Sequence, residues 1–260
     1  MRDVPRLVTL SAQRRGSLDL RVIDAARELG VDAFVTTRSG GVSAAPYDTL
    51  NLGDHVGDDP ERVRENRRRV AAAAGVATDG LATAVQTHGR DVVEVVRARD
   101  ADGARADALI TSSPDVALSV LVADCVPVLL VDPLRGRLAV AHAGWRGLVV
   151  GVLENALAHF ERIRDLHAFI GPAISAERYQ IGPEVAAHFA AVPSALLADG
   201  GDRSRLDLVR VVEWQLRHAG VRDERVVACA ERTDDAALFF SDRAARPSGR
   251  FALVARRLVA

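Results

Sequence analysis

Residues 117–147 read ALSVLVADCVPVLLVDPLRGRLAVAHAGWRG, and this stretch decides the fold. Ala117–Ala123 and Val126–Asp132 are apolar and rich in β-branched residues, at strand rather than helix length, which predicts buried strands. Asp132-Pro133-Leu134-Arg135-Gly136 has the composition of a turn. Leu138–His142 then predicts a further short strand beside Val126–Asp132. A strand reached through a tight turn is a hairpin partner, so this part of the sheet is not wound through crossover helices.

The flanking segments alternate helices with more strands. Asp59-Pro60-Glu61 predicts N-cap, first position and first turn of a helix, because proline is tolerated there and carboxylates suit the positive end. That helix runs to about Ala74 and stops at Gly75. Ala84–Gln86 and Val92–Arg97 predict strand pieces around the polar turn Thr87-His88-Gly89-Arg90. Apolar spacing predicts helices from Gly151 to about Arg164, over Val185–Ala191, and over Arg205–Ala219, the last closed by Gly220. Val226–Ala230 and Arg250–Val254 predict strands. Hairpins mixed with helices give an α+β fold with mixed β-sheets flanked by helices. No linker or repeat divides the chain, so a single domain over residues 1–260 is expected.

Composition narrows the function. The 260 residues carry 34 basic and 35 acidic side chains, a balance that argues against nucleic-acid binding. Every basic residue apart from histidine is arginine, which excludes lysine Schiff bases and a Walker-type phosphate lysine. No apolar run approaches the ~18 residues of a membrane span. The N-terminal MRDVPRLVTLSAQRRG has no apolar core of a secretory signal, and two cysteines make no disulfide scaffold. A cytoplasmic protein is the expectation.

Polar chemistry collects in three segments. These are Val85-Gln86-Thr87-His88-Gly89, Val122-Ala123-Asp124-Cys125-Val126-Pro127, and Ala141-His142-Ala143-Gly144-Trp145-Arg146-Gly147. Hairpin pairing would bring Cys125 close to His142. With His88 they make a Cys-His₂ set, and three protein ligands leave a zinc ion a fourth position for water or substrate. The same atoms fit a cysteine nucleophile with His142 or His88 as base and Asp124 as orienting carboxylate. A blue-copper site wants a weak axial methionine, and the only methionine is Met1, so copper ranks last. Arg38, before Ser39-Gly40-Gly41, and Arg146, in Gly144-Trp145-Arg146-Gly147, are candidates for binding an anion.

Taken together, these segments resemble the YfiH family, once described as laccase-like multicopper polyphenol oxidoreductases. The resemblance rests on Thr36-Thr37-Arg38-Ser39-Gly40-Gly41-Val42-Ser43, Leu50-Asn51-Leu52-Gly53, His55-Val56-Gly57-Asp58-Asp59-Pro60 and Asn66-Arg67. It continues through Gln86-Thr87-His88-Gly89, Ala106-Asp107-Ala108-Leu109, Ala123-Asp124-Cys125-Val126-Pro127-Val128 and His142-Ala143-Gly144-Trp145-Arg146-Gly147. Ile170-Gly171-Pro172-Ala173-Ile174 and Ser248-Gly249-Arg250 complete it, from about residue 34 to 255.

The resemblance implies a fold similar to that of the cytotoxic necrotising factor catalytic domain, named for putative cysteine hydrolases. It implies zinc on His88, Cys125 and His142. It further implies purine nucleoside phosphorylase activity on adenosine, inosine, guanosine and methylthioadenosine, with adenosine deaminase activity beside it. Purine nucleosides and phosphate would be the partners. Some members are linked to editing of peptidoglycan precursors, which suits the cysteine-hydrolase alternative. Phosphorolysis would use Arg38 and Arg146 for phosphate and Asn51 for ribose or base; deamination would use Asp124 as proton shuttle. Two positions depart from the family pattern. Gln180 stands where a glutamate is usual, and Asp242 and Ala244 replace a tyrosine and an arginine.

Overall fold

The two apolar runs at 117–132 lie in different sheets. The computed structural model describes residues 6–259. Val126–Asp132 and Arg137–Ala143 are the central hairpin of a seven-stranded sheet, ordered Arg6–Val8, Val226–Cys229, His167–Ile170, Val126–Asp132, Arg137–Ala143, Ala108–Thr111, Val92–Glu94. Ala117–Val122 belongs to a six-stranded sheet, ordered Ser11–Arg15, Leu18–Val22, Val31–Thr36, Phe251–Arg257, Ala117–Val122, Leu81–Thr83. A small third sheet joins Gln180–Ile181, Ser204–Leu206 and Leu196–Ala198. Both large sheets mix parallel and antiparallel pairs, so the α+β class with mixed sheets holds.

Side-chain alternation explains why these strands are apolar throughout. Along Val126–Asp132, Val128 and Leu130 pack on one side, while Leu129 and Val131 pack on the other. The first side meets Leu148, Leu153 and Leu157 of the segment 145–157, and Val209, Val212 and Leu216 of the helix Leu208–His218. The second side meets Val31, Val35, Leu118, Val120 and Leu253 of the six-stranded sheet. That sheet turns Leu18, Phe34, Leu121 and Val254 outward onto Val70 and Ala74, in and just after the helix Pro60–Ala73. Helices therefore cover the outer face of each sheet, and strands between two apolar layers need no polar alternation.

Boundaries differ from expectation where side chains or glycines intervene. The helix Pro60–Ala73 starts as read: the Asp59 carboxylate accepts from the Glu61 N–H, with proline next. The expected helix at 151–164 is two shorter ones, Trp145–Val150 and Val152–Leu157, hinged at Gly151 with φ of +91°. Only glycine takes that conformation cheaply. The expected helix at 205–219 spans Leu208–His218, because Ser204–Leu206 is strand and Asp207 caps the helix through the Arg210 N–H. The segment at 185–191 holds only Pro183–Ala186 and a 3-10 turn, Ala187–Phe189. The strand expected at 84–86 ends at Thr83, and the Gln86 side chain takes over its pairing. No helix among the described residues is long and apolar enough to cross a membrane.

Candidate metal centre

His88 arrives on a loop fastened at both ends. The strand Leu81–Thr83 runs parallel to Ala117–Val122. Past Thr83 the Gln86 amide continues that ladder: its Nε2 donates to the Leu121 carbonyl and its Oε1 accepts from the Leu121 N–H, both at 2.7 Å. The next residues turn around the Asp107 carboxylate. It accepts from the backbone N–H groups of Thr87 at 3.0 Å, His88 at 3.0 Å and Gly89 at 2.7 Å, and from the Thr87 hydroxyl at 3.2 Å. His88 itself has φ of +56°, an uncommon conformation for a residue with a Cβ.

Cys125 lies where the chain passes from one large sheet to the other. Only residues 123–125 separate Ala117–Val122 from Val126–Asp132. Asp124, at φ of +92°, makes the turn. Its carboxylate accepts from the Thr233 hydroxyl at 2.6 Å and the Arg243 N–H at 2.7 Å, and its carbonyl accepts from the Ile174 N–H at 3.0 Å. Both carboxylate oxygens are thus occupied away from the cluster. A proton shuttle at Asp124 finds no support in this arrangement.

His142 closes the cluster from the hairpin. It sits in Arg137–Ala143 opposite Pro127, one residue beyond the register of Val126. Its backbone N–H donates to the Asp107 carbonyl at 2.7 Å, and its Nδ1 lies 2.8 Å from Asp107 Oδ1. A proton on Nδ1 satisfies that contact and leaves Nε2 free to ligate. Asp107 enters the sequence analysis only within the motif Ala106-Asp107-Ala108-Leu109, with no role in the site. Its signal is an acidic side chain between Ala106 and Ala108, at a position only 1% exposed.

The ligand atoms of His88, Cys125 and His142 all lie within 4.8 Å of one another. Cys125 Sγ is 3.9 Å from His88 Nε2, and the two imidazoles meet edge to face at 4.7 Å. Zinc bonds to sulfur and nitrogen at a tetrahedral angle put those atoms roughly 3.5 Å apart. The Cys125–His88 pair is a few tenths of an ångström wider than that, and the donor set fits a metal ion once the three ligands draw together. Gly144 leaves the necessary room: a Cβ there would stand 2.9 Å from both Cys125 Sγ and His88 Cδ2.

Electrostatics in the metal-free protein make Cys125 and His142 a thiolate–imidazolium pair, so a metal ion would displace the proton on His142 Nε2. Burial pushes the Cys125 thiol up, but the charge and hydrogen bond of His142, then His88, outweigh it and bring it down to about 6. Burial pushes His142 down, yet the Cys125 charge and the Asp107 hydrogen bond raise it to about 9. Burial also works against the Asp107 charge, while His142 and the loop N–H groups hold its carboxyl at about 2. Tyr179 is raised to about 12, by burial first and then by the Cys125 and Asp124 charges, with Arg243 and Arg146 pulling the other way. The Arg243 guanidinium lies over the Tyr179 ring at 5.1 Å. Tyr179 and Arg243 therefore belong to the surroundings of Cys125, though neither stands out in sequence as chemistry.

The remaining expected binding residues are dispersed. Arg146 is exposed and lies over the Trp145 ring at 4.4 Å, on a helix of only six residues. Arg38 lines a cleft of about 350 Å³ with Asp48, Thr49 and Ala236. Its Nε donates to the Asp48 carbonyl and its Nη1 to the Ala236 carbonyl, both at 2.9 Å, and it stacks on Phe240 at 4.8 Å. Asn51 is fully buried and has no free polar atom. Its amide donates to the Gly53 carbonyl and Asp58 and accepts from the N–H groups of Gly53 and Arg250. The expected ribose or base contact is therefore corrected: Asn51 is a brace between the loop at 51–58 and the start of the last strand. Asn51→Ala is expected to lower the unfolding free energy by about 2 kcal/mol, because it leaves buried N–H groups without acceptors. Urea denaturation checks this.

Comparison with known proteins now adds to the geometry. The family model described as multi-copper polyphenol oxidoreductase laccase matches residues 32–257. The chain belongs to this family, the YfiH family. The purine nucleoside phosphorylase YfiH of Escherichia coli is 38% identical over 231 residues, covering 86% of this chain and 92% of that protein. A purine nucleoside phosphorylase of Mycobacterium tuberculosis is 41% identical over 222 residues, covering 84% and 88%. The crystal structure of YfiH from Bacillus licheniformis superposes with a TM-score of 0.87 at 30% identity, covering 95% and 98%. The YfiH fold thus extends over nearly the whole chain, both large sheets included. The family description mentions copper, and the cluster offers one thiol and two imidazoles, a set that zinc also accepts.

Proposed function

We propose that this protein is a zinc-dependent purine nucleoside phosphorylase. The observation that carries the reading is the open three-ligand cluster of His88, Cys125 and His142, in a chain whose relatives at 38% and 41% identity are named for that activity. Adenosine, inosine, guanosine and methylthioadenosine are the substrates we expect, with phosphate as acceptor. A bound zinc ion with one open position supplies Lewis-acid polarisation of a phosphate or leaving-group oxygen or nitrogen. The chain's own residues do the rest. His88, Cys125 and His142 fix the centre. Arg243, over the Tyr179 ring, offers a guanidinium group for phosphate, and Arg146 adds positive charge near Tyr179. Arg38 has most of its donors on Asp48 and Ala236 and shapes the cleft wall.

Adenosine deamination ranks below phosphorolysis. It needs a carboxylate to move the proton of an activated water. Asp107 is engaged by His142 and the His88 loop, and Asp124 by Thr233 and Arg243. Neither is free at the cluster. A second reading rests on a different observation: Cys125, His142 and Asp107 form a thiol, imidazole and carboxylate in series, as in cysteine hydrolases acting on amides.

Product analysis separates these readings. Zinc-loaded protein with adenosine is expected to give adenine and ribose 1-phosphate only when phosphate is present, and Cys125→Ala is expected to give neither. Inosine formed without phosphate would assign the centre to deamination. Activity that survives chelation but not iodoacetamide would move the assignment to a cysteine hydrolase.

A further inference from the structure

The two histidines of the cluster come from different sheet systems, one on a loop after Leu81–Thr83 and one on the central hairpin. Backbone bonds carry the link part of the way: Val85 pairs with Ala104 and Ala106, and Ala108–Thr111 pairs with the hairpin. One side chain completes it. Asp107 Oδ1 accepts from both the His88 N–H at 3.0 Å and the His142 imidazole at 2.8 Å, while Oδ2 accepts from the N–H groups of Thr87 and Gly89. Its backbone is pinned as well: the Asp107 N–H donates to the Asp91 carbonyl, and its carbonyl accepts from the His142 N–H.

We propose that Asp107 is the positioning residue of this centre, a single buried carboxylate that sets the His142 ring and the His88 loop together so that both present Nε2 toward Cys125. It touches neither substrate nor ion. It acts through the two ligands. The inference deepens the metal reading above and rests on it for its affinity consequence, but its geometric content stands in the metal-free protein.

The chemistry of the carboxylate is specific. Both of its oxygens receive donors, and one of them receives two that matter to the centre. An amide presents an acceptor on one side only, so Asp107→Asn must lose either the bond to His142 or those to Thr87 and Gly89. The Asp107→Ala variant loses both. Partners of this kind usually change metal affinity by about 10–100-fold.

The test uses the full-length protein, Asp107→Asn, Asp107→Ala, and Asp132→Asn as a control. Asp132 is equally buried but caps the far turn of the hairpin through the N–H groups of Leu134 and Arg135. Zinc affinity is measured by competition with a chromophoric chelator. The His142 ring is followed in the metal-free protein by nitrogen-15 NMR. Asp107→Asn is expected to weaken zinc binding about 10–100-fold and Asp107→Ala more, with Asp132→Asn within threefold of wild type on the same scale. The hydrogen-bonded Nδ1 proton of His142 is expected to shift upfield or be lost in both Asp107 variants and to persist in the control. If Asp107→Asn binds zinc as wild type does and the Nδ1 resonance is unmoved, the proposal is overturned. If the wild type itself binds no zinc, the metal reading fails, and the resonance alone then decides the positioning role. A loss of zinc affinity equal in Asp132→Asn would mean generic destabilisation and would also overturn it.

Discussion

Gly144→Ala is expected to abolish tight metal binding while leaving the fold standing. At φ of −76° and ψ of 162°, Gly144 has a backbone conformation that alanine adopts freely, so no dihedral strain enters. The whole effect is steric. The added Cβ would lie 2.9 Å from Cys125 Sγ and 2.9 Å from His88 Cδ2, about an ångström inside ordinary contact distance. His88 cannot retreat far, because Asp107 holds its loop by three N–H bonds. Cys125 is held by the short passage between the sheets. One ligand must leave its place, and a centre displaced by about 1 Å loses most of its preorganisation. Zinc affinity is expected to fall more than about a hundredfold, with phosphorolysis lost alongside it and the far-ultraviolet circular dichroism unchanged. A Gly144→Ala protein that binds zinc within tenfold of wild type would sink this account.

What the sequence discloses and what it hides differ for physical reasons. The hairpin Val126–Ala143 is legible because a proline-containing turn separates two apolar runs, and its register brings His142 opposite Pro127. The passage of the chain between sheets is not legible. Val122 and Val126 belong to different sheets, yet the apolar pattern is nearly continuous across them. Gln86 is hidden for another reason: its side chain imitates a strand by bonding both polar groups of Leu121, which no propensity records. Residues before Asp59 receive no element from sequence, although Leu18–Val22 alternates buried and exposed positions in the structure. The ligands themselves are legible as residue types that chemistry uses. Asp107 shows in sequence only as part of a family motif, and its role is hidden because it depends on contacts with residues 18 to 35 positions away.

The same distance dependence produces the one buried carboxyl without a partner in the helix Leu208–His218. Glu213 lies between Arg210 and Arg217 at helical spacing, which favours an ion pair with either. Instead Arg210 pairs with Asp207 at 3.2 Å and Arg217 with Asp223 at 3.3 Å. Glu213 is 4% exposed, and its Oε1 has no hydrogen-bond partner. Burial is the dominant cause of its shift, opposed by the Arg217 charge and reinforced by Asp207, and its carboxyl is raised to about 7.

A carboxyl raised in the folded state holds a proton that the unfolded chain has already released. Stability from this group is therefore full below the ordinary value of 4.5, declines as pH rises toward about 7, and stays low above that. The shift corresponds to about 3 kcal/mol. Glu213→Gln keeps the shape and removes the titration. The difference in unfolding free energy, variant minus wild type, is expected to grow by about 3 kcal/mol between pH 4.5 and 8, in favour of the variant. Urea denaturation of metal-free protein at several pH values measures it, and every titration common to both proteins cancels in the difference. A difference that stays flat across that range would mean that Glu213 ionises in the folded protein as it does in the unfolded chain, and that the cavity it lines with Arg210, Trp214 and Arg217 is wet enough to solvate a charge.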